Sequence, residues 1–385
     1  MPADSGPTIV GVVGLGTMGA GIAQLALEHG HEVVAHDVDD AALERGRARV
    51  REGLSRRAAK VELDADSIDA WVDGRMAGLR EADTLAAVAG EAEVVIEAAL
   101  EDLGLKREIF RALDAAAPPE PILATNTSAL SVGAIAEVVG RPERVVGLHF
   151  FNPAPVMRLV EVIAGPRTGD DVVERAAALV ESWDRTPVRS ADAPGFIVNR
   201  VNRPYTIEAL RILEAAEATV AAIDGAMKLD GFPMGPFELI DLAGLDVNLA
   251  AAAGVWEGLG RPDRLRPSPI QERLVEEGRL GRKSGEGFYR YDGAPTVAAE
   301  FAGGRSRLDP AEIRERITLA VVNEAWHALG EGVATRDDID LALRLGAAHP
   351  IGPVERTDQL GGPRVVAARM RDLGREPAPA LVAAG

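Results

Sequence analysis

Cysteine is absent from the 385-residue chain. That removes both a disulfide framework and thiolate chemistry, and it makes a cytosolic setting the expectation. Long apolar runs are missing too. None approaches the roughly 18 uncharged residues of a membrane span, although 47% of the residues are hydrophobic. The opening MPADSGPT has neither the basic nor the apolar region of a secretory leader. Basic residues are in deficit: 42 Lys and Arg against 60 Asp and Glu leave a net charge of −18, the wrong sign for a nucleic-acid surface. An anionic small molecule remains admissible, because a local basic patch can hold phosphates. Residues 47–60 (RARVREGLSRRAAK) form such a patch. The six His show no metal-ligand spacing, so no metal is expected. A chain of this length is expected to form two or three domains.

The first 40 residues are the most informative. TIVGVVG (8–14) is β-branched and apolar, as a buried parallel strand should be. Gly14-Leu15-Gly16-Thr17-Met18-Gly19 follows and runs straight into the helical pattern AGIAQLALEHG, after which a second apolar strand, HEVVAHD, closes on Asp37. Gly14 allows the tight turn, Gly16 lets the backbone approach a pyrophosphate, and Gly19 permits close helix–strand packing. The helix N-terminus offers unpaired N–H groups to phosphates. Asp37, 23 positions after Gly14, stands where a carboxylate accepts the ribose hydroxyls and repels a 2′-phosphate. A dinucleotide is therefore expected, and NAD rather than NADP.

Strand and helix patterns then alternate: AEVVIEA (92–98), LEDLGLKREIFRALDAAA (100–117), PILATNTS (121–128) and ERVVGLHFF (143–151). Such alternation predicts an α/β doubly wound parallel sheet whose ligands sit at the carboxyl ends of the strands. Glu97–Glu101, Asn126–Ser128 and His149–Asn152 fall at such ends. In GLHFFNPAPVMRLVEVI (147–163) one histidine, His149, and one glutamate, Glu161, interrupt an otherwise apolar passage. A buried histidine that merely satisfies its hydrogen bonds is the ordinary reading; its place at a strand end moves it towards the cofactor.

GLGTMGAGIAQ, EAALEDLGLKREIF, TNTSALSV, HFFNPAPVMRLVEVI, APGFIVNR, GFPMGPFELIDLAGLD and GRKSGEGFY, in this order between residues 8 and 291, resemble the L-3-hydroxyacyl-CoA dehydrogenase family, the bacterial 3-hydroxybutyryl-CoA type in particular. The resemblance implies a Rossmann fold, NAD as cofactor, an acyl-CoA substrate and a role in fatty acid or butanoate metabolism. It implies that His149 and Glu161 are the pair that removes the 3-hydroxyl proton, and that Ser128 and Asn199 bond the substrate oxygen at C3. Glu101, Lys106, Asn126, Ser128 and Asn152 match positions near the nicotinamide and its ribose. Lys60 falls close to a lysine that meets the CoA nucleotide, while Gly53 replaces a neighbouring family serine. Three alternatives stay open. The substrate is a 3-hydroxyadipyl-CoA of aromatic degradation or a gulonate-type sugar acid, or the chain is a catalytically silent NAD-binding protein.

From about residue 193 the chain turns helical, and the pattern occurs twice. Glu208 corresponds to Glu324, Leu213 to Leu329, Ile223 to Ile339 and Asp224 to Asp340, all at an offset of 116; Gly235-Pro236 corresponds to Gly352-Pro353 one residue later. Constant spacing marks a duplicated helical unit. The expected division is an NAD-binding domain (1–190), a helical domain bearing Asn199 (191–293) and a second helical copy (294–385) that packs on the first. Asn199 has Glu315 as its counterpart, so the second copy is expected to be non-catalytic. Family members with one copy pair as dimers through this domain; here the expectation is a monomer or a homodimer.

Overall fold

The computed structural model describes residues 8–60 and 65–385. The chain divides into two compact units, Met1–Asp192 and Ala193–Gly385.

The first unit is built on eight strands: β1 (Ile9–Val13), β2 (Glu32–His36), β3 (Leu79–Glu81), β4 (Val94–Glu97), β5 (Ile122–Thr125), β6 (Val145–Phe150), β7 (Leu159–Ala164) and β8 (Thr186–Ala191). Their order in the sheet is β3-β2-β1-β4-β5-β6-β7-β8. The first six pair in parallel, β7 runs antiparallel to β6, and β8 runs parallel to β7. The expected parallel sheet is therefore present and is extended by a reversed pair. The short 151–158 connection explains the reversal, because a parallel return needs a crossover of a dozen or more residues. Strand order reverses between β1 and β4, which places the switch point directly above the glycine loop.

Helices α1 (Thr17–Glu28), α2 (Asp40–Lys60), α3 (Ala65–Met76), α4 (Leu85–Glu91), α5 (Leu103–Ala116), α6 (Val132–Ala136) and α7 (Asp170–Ser182) complete this unit. One core cluster joins α1, α2 and α7 to the sheet through Ile22, Leu25, Val50, Val180 and Trp183 on the helical side and Val10, Val33, Ile96, Leu148 and Val160 on the strands. Gly19 is a packing requirement: a Cβ there would lie 1.7 Å from the Gly14 carbonyl oxygen.

The second unit is helical: α8 (Val198–Val201), α9 (Arg203–Glu214), α10 (Val220–Leu229), α11 (Pro236–Ala243), α12 (Leu245–Gly258), α13 (Pro269–Glu276), α14 (Pro310–Gly330), α15 (Arg336–Ala347), α16 (Pro353–Gln359), α17 (Pro363–Asp372) and α18 (Pro379–Ala383). Its two halves share one body, with α14 packed against α8, α9 and α10. Local geometry recurs between the halves. Asp224 accepts the backbone N–H groups of Phe237 and Glu238 at the start of α11, and Asp340 accepts those of Val354 and Glu355 at the start of α16. A Cβ on Gly235 or Gly352 would lie 2.3 Å from the Cβ of the corresponding aspartate, so both turns demand glycine. The ion pairs are reciprocal. Arg200 pairs with Glu324 at 2.8 Å, and Arg316, 116 residues on, pairs with Glu208 at 2.8 Å. Among the described residues no single helix is long and apolar enough to cross a membrane; α11 and α12 reach that length and composition only jointly, across a 102° bend.

Candidate active site

The glycine loop leaves β1 through Gly14 at φ +88°, and the Gly14 N–H donates to the His36 carbonyl (2.8 Å). Gly16 precedes α1 without a side-chain cap on the helix, so the first N–H groups are left for another acceptor. No atom lies within 4 Å of where a Gly16 Cβ would stand, which is the open approach a pyrophosphate requires. Gly16 and Thr17 are exposed, whereas Met18 packs partly on the core. Asp37 lies at the end of β2 as expected, and it also does something unforeseen. Its carboxylate accepts the N–H of Leu15 (2.7 Å) and of Val38 (2.7 Å), which ties the second strand to the glycine loop. Each oxygen keeps a second acceptor position for a ribose hydroxyl.

His149 and Glu161 occupy directly opposed register positions on β6 and β7. Cross-strand partners project from the same face. The alternating residues Leu148, Phe150, Val160 and Val162 all turn into the core cluster, so the histidine and glutamate occupy the other face. Both are buried, and His149 Nδ1 lies 2.6 Å from Glu161 Oε2. A carboxylate only accepts, so Nδ1 carries the proton and Nε2 is the acceptor nitrogen. Phe151 lies against the imidazole, ring centroids 4.5 Å apart.

Asn126, at the end of β5, accepts the Phe150 N–H through Oδ1 at 2.9 Å and so pins the histidine strand to its neighbour. Glu101 gathers the loop after β5: its Oε1 accepts from the Thr127 hydroxyl (2.7 Å) and from the N–H groups of Ser128 (2.8 Å) and Ala129 (3.0 Å). Burial pushes its carboxyl pKa up, but the Thr127 hydroxyl, Lys106 and the two N–H groups outweigh that and hold it below the usual carboxylate range. Ser128 is exposed and does not cap the following helix; Ser131 does, accepting the Ala134 N–H.

Lys106 lies in a position the sequence does not reveal. It is buried, with Nζ 2.6 Å from Glu97 and 3.5 Å from Glu101. Glu97 is also buried and accepts the Thr125 hydroxyl and the Ala99 N–H. Lys106 thus braces the two glutamates that shape the strand ends. Glu97 closes an apolar strand, and that was the signal available for it. Asn152 is exposed just beyond β6.

Lys60 is exposed at the C-terminal end of α2. Much of the basic stretch before it is engaged with acids: Arg47 with Glu81, Arg51 with Asp73, Arg56 with Glu52 and Arg57 with Glu28. Gly53 packs on Gln24, where a Cβ would come within 1.9 Å of the amide oxygen. Asn199 belongs to the second unit, on α8, after a turn in which Gly195 and Phe196 take positive φ.

Residues 9–193 match the family model described as the 3-hydroxyacyl-CoA dehydrogenase NAD binding domain. Residues 195–291 and 313–381 match that of the 3-hydroxyacyl-CoA dehydrogenase C-terminal domain. The chain belongs to the 3-hydroxyacyl-CoA dehydrogenase family. A 3-hydroxyadipyl-CoA dehydrogenase of Escherichia coli is 37% identical, the match covering 93% of this chain and 92% of that one. A probable 3-hydroxybutyryl-CoA dehydrogenase of Deinococcus radiodurans is 41% identical over 73% of this chain and 99% of its own. Among solved structures, a 3-hydroxybutyryl-CoA dehydrogenase of Escherichia coli superposes with a TM-score of 0.89 at 34% identity, covering 98% of each chain. As a member of this family of NAD-dependent oxidoreductases, the chain takes NAD as its cofactor. The uncapped α1 terminus, the open face of Gly16 and the Asp37 carboxylate fit it.

Proposed function

We propose that the protein reversibly oxidises (S)-3-hydroxyacyl-CoA to 3-oxoacyl-CoA, on short acyl chains, with His149 and Glu161 as the acid–base pair. The observation that carries this reading is the 2.6 Å bond between His149 Nδ1 and Glu161 Oε2. Bound NAD supplies the hydride acceptor for C3. His149 Nε2 takes the hydroxyl proton as the C3–H bond breaks and the carbonyl forms; in reduction it returns that proton. Glu161 fixes the imidazole tautomer and offsets the charge of the imidazolium. Ser128 and Asn199 bond the oxygen at C3, where negative charge develops. Glu101, Asn126 and Asn152 line the cofactor, Lys106 braces Glu101 from beneath, and Lys60 meets the CoA nucleotide.

Residues 294–385 act in this reading as a second, non-catalytic copy that packs on 191–293. The reciprocal Arg200–Glu324 and Arg316–Glu208 pairs support it. They have the pattern of a two-fold interface, in which i meets j and j meets i. One observation favours a second substrate. A relative matched over nearly the whole of both chains is a 3-hydroxyadipyl-CoA dehydrogenase, so a six-carbon chain ending in carboxylate stands beside 3-hydroxybutyryl-CoA.

The test is NADH oxidation with acetoacetyl-CoA, longer 3-oxoacyl-CoAs and free 3-oxo acids. Turnover confined to thioesters is expected. Turnover of the free acids alone would replace the proposal with a sugar-acid activity, and none with any of them would leave an NAD-binding protein without this chemistry.

A further inference from the structure

Among the described residues, four lysine and arginine side chains are buried: Lys106, Arg144, Arg200 and Arg203. Three have a carboxylate. Lys106 pairs with Glu97, Arg144 with Asp114, and Arg200 with Glu324. Arg203, 7% exposed, has none. Its guanidinium donates only to backbone carbonyls, Nε to Asn199 (3.2 Å) and Nη1 to Asn248 (3.5 Å). Neither bond engages Nη2. Burial alone acts on this cation, lowering its pKa to about 10, with no nearby charge to offset it. A buried cation without a counter-charge costs several kcal/mol, and two carbonyl bonds use only two of its five N–H donors. Such a residue is completed by an anion that arrives with a ligand.

Its place limits which anion. Arg203 opens α9 four residues after Asn199, across the break from α8, and its Nε lies 3.2 Å from the Asn199 carbonyl oxygen; Asn199 is the residue proposed to bond the oxygen at C3. In a six-carbon acyl chain the terminal carbon lies three bonds of about 1.5 Å beyond C3, roughly 4 Å when extended. An arginine fork reaches a carboxylate at that distance and binds it side by side through two N–H groups. We infer that Arg203 is a specificity-determining residue that receives the terminal carboxylate of a dicarboxylic 3-hydroxyacyl-CoA, so that an acyl chain of about six carbons ending in an anion is preferred over one ending in methyl. This rests on the proposed dehydrogenase activity and names its substrate class.

The experiment compares kcat/KM of the full chain, with NAD, for 3-hydroxyadipyl-CoA, its terminal methyl ester and 3-hydroxyhexanoyl-CoA. The free acid is expected to exceed both neutral substrates by on the order of 10²-fold or more, because a neutral end leaves the buried donor unpaired. In Arg203→Met that ratio should collapse towards one, mainly through KM, and in Arg203→Lys it should be intermediate, charge being kept without the fork. A wild-type enzyme that treats acid and ester alike would overturn the assignment while leaving the dehydrogenase reading intact, and this arm needs no folded variant. The assignment falls equally if Arg203→Met lowers all three substrates by one factor, the mark of a purely structural arginine. Failure to oxidise any of the three while 3-hydroxybutyryl-CoA is turned over would remove the assignment and keep the dehydrogenase reading, and failure with all four would remove both.

Discussion

At His149 the proposed chemistry turns on one proton. The cross-strand glutamate holds Nδ1–H, and the proposal gives the proton transfer to Nε2. In His149→Gln the amide approximates the shape of the ring but has no titrating nitrogen. We expect kcat to fall by roughly 10²–10⁴-fold, the usual worth of a positioned acid–base group, with NADH binding retained. Fluorescence titration of NADH beside steady-state turnover checks both halves, and full turnover in the variant would exclude the dyad. Asp37 shows how one side chain combines duties. Its bond to the Leu15 N–H sets the glycine loop on β2, and the same carboxylate is the group expected to favour an unphosphorylated ribose. The place of the acid at the strand end was legible in the sequence. The loop bond was not, since it depends on where Leu15 folds back.

At the scale of elements, the turn between α10 and α11 and its counterpart between α15 and α16 are each built on an aspartate that caps the following helix, buried in the first and half-buried in the second. Burial raises Asp224 to about 7, against the Tyr289 hydroxyl and two backbone N–H groups that lower it. An unfolded aspartate titrates near 4. Between those values the folded chain holds a proton that the unfolded chain has lost, so this group makes stability fall as pH rises, by up to about 1.4 kcal/mol per pH unit. His349 acts in the opposite sense. Burial, with Arg356 nearby, lowers it to about 3, so from about pH 3 to 6.5 the unfolded chain binds the extra proton and stability rises with pH. The two slopes oppose each other over roughly pH 4–6.5. Asp224→Asn should remove the falling contribution, so that stability rises more steeply with pH, or falls less steeply, than in the wild type across that window, as urea midpoints at several pH values would record. A profile parallel to the wild type would mean that Asp224 does not titrate there. Elements fell where the sequence put them but with shorter ends: the helix expected over 100–117 begins at Leu103, because Asp102 caps it through the Leu105 N–H. β7 and β8 were less legible, because residues 159–164 and 186–191 become strands only by pairing with β6 and with one another.

For the whole molecule, the repeated helical pattern has an energetic consequence. Arg200 and Glu324 are both buried, as is Glu208, which pairs with Arg316, Arg375 and Arg211. Removing one member of a buried pair costs about 3–5 kcal/mol, a large share of the stability of an ordinary domain. A chain ending at residue 293 loses α14 to α18, which leaves Arg200 without Glu324 and Glu208 with Arg211 alone. It is expected to aggregate or to self-associate through the exposed face, and sedimentation velocity would register either. A folded, soluble monomer would end the role proposed for the second copy.

Local order was enough to announce the dinucleotide fold, because its glycines, helix start and acid must follow one another within 24 residues (14–37) to meet a single ligand. The spacing of the helical repeat was equally plain, since duplication preserves intervals that single residues do not. Other features came from folding in three dimensions. The reversed β7 sets Glu161 opposite His149, Lys106 withdraws beneath the loop to brace Glu97, and Arg203 is buried with carbonyls for company. Each depends on which distant groups surround a side chain once the chain is packed. Charge burial and partner choice are properties of that neighbourhood, and no stretch of the sequence carries them alone.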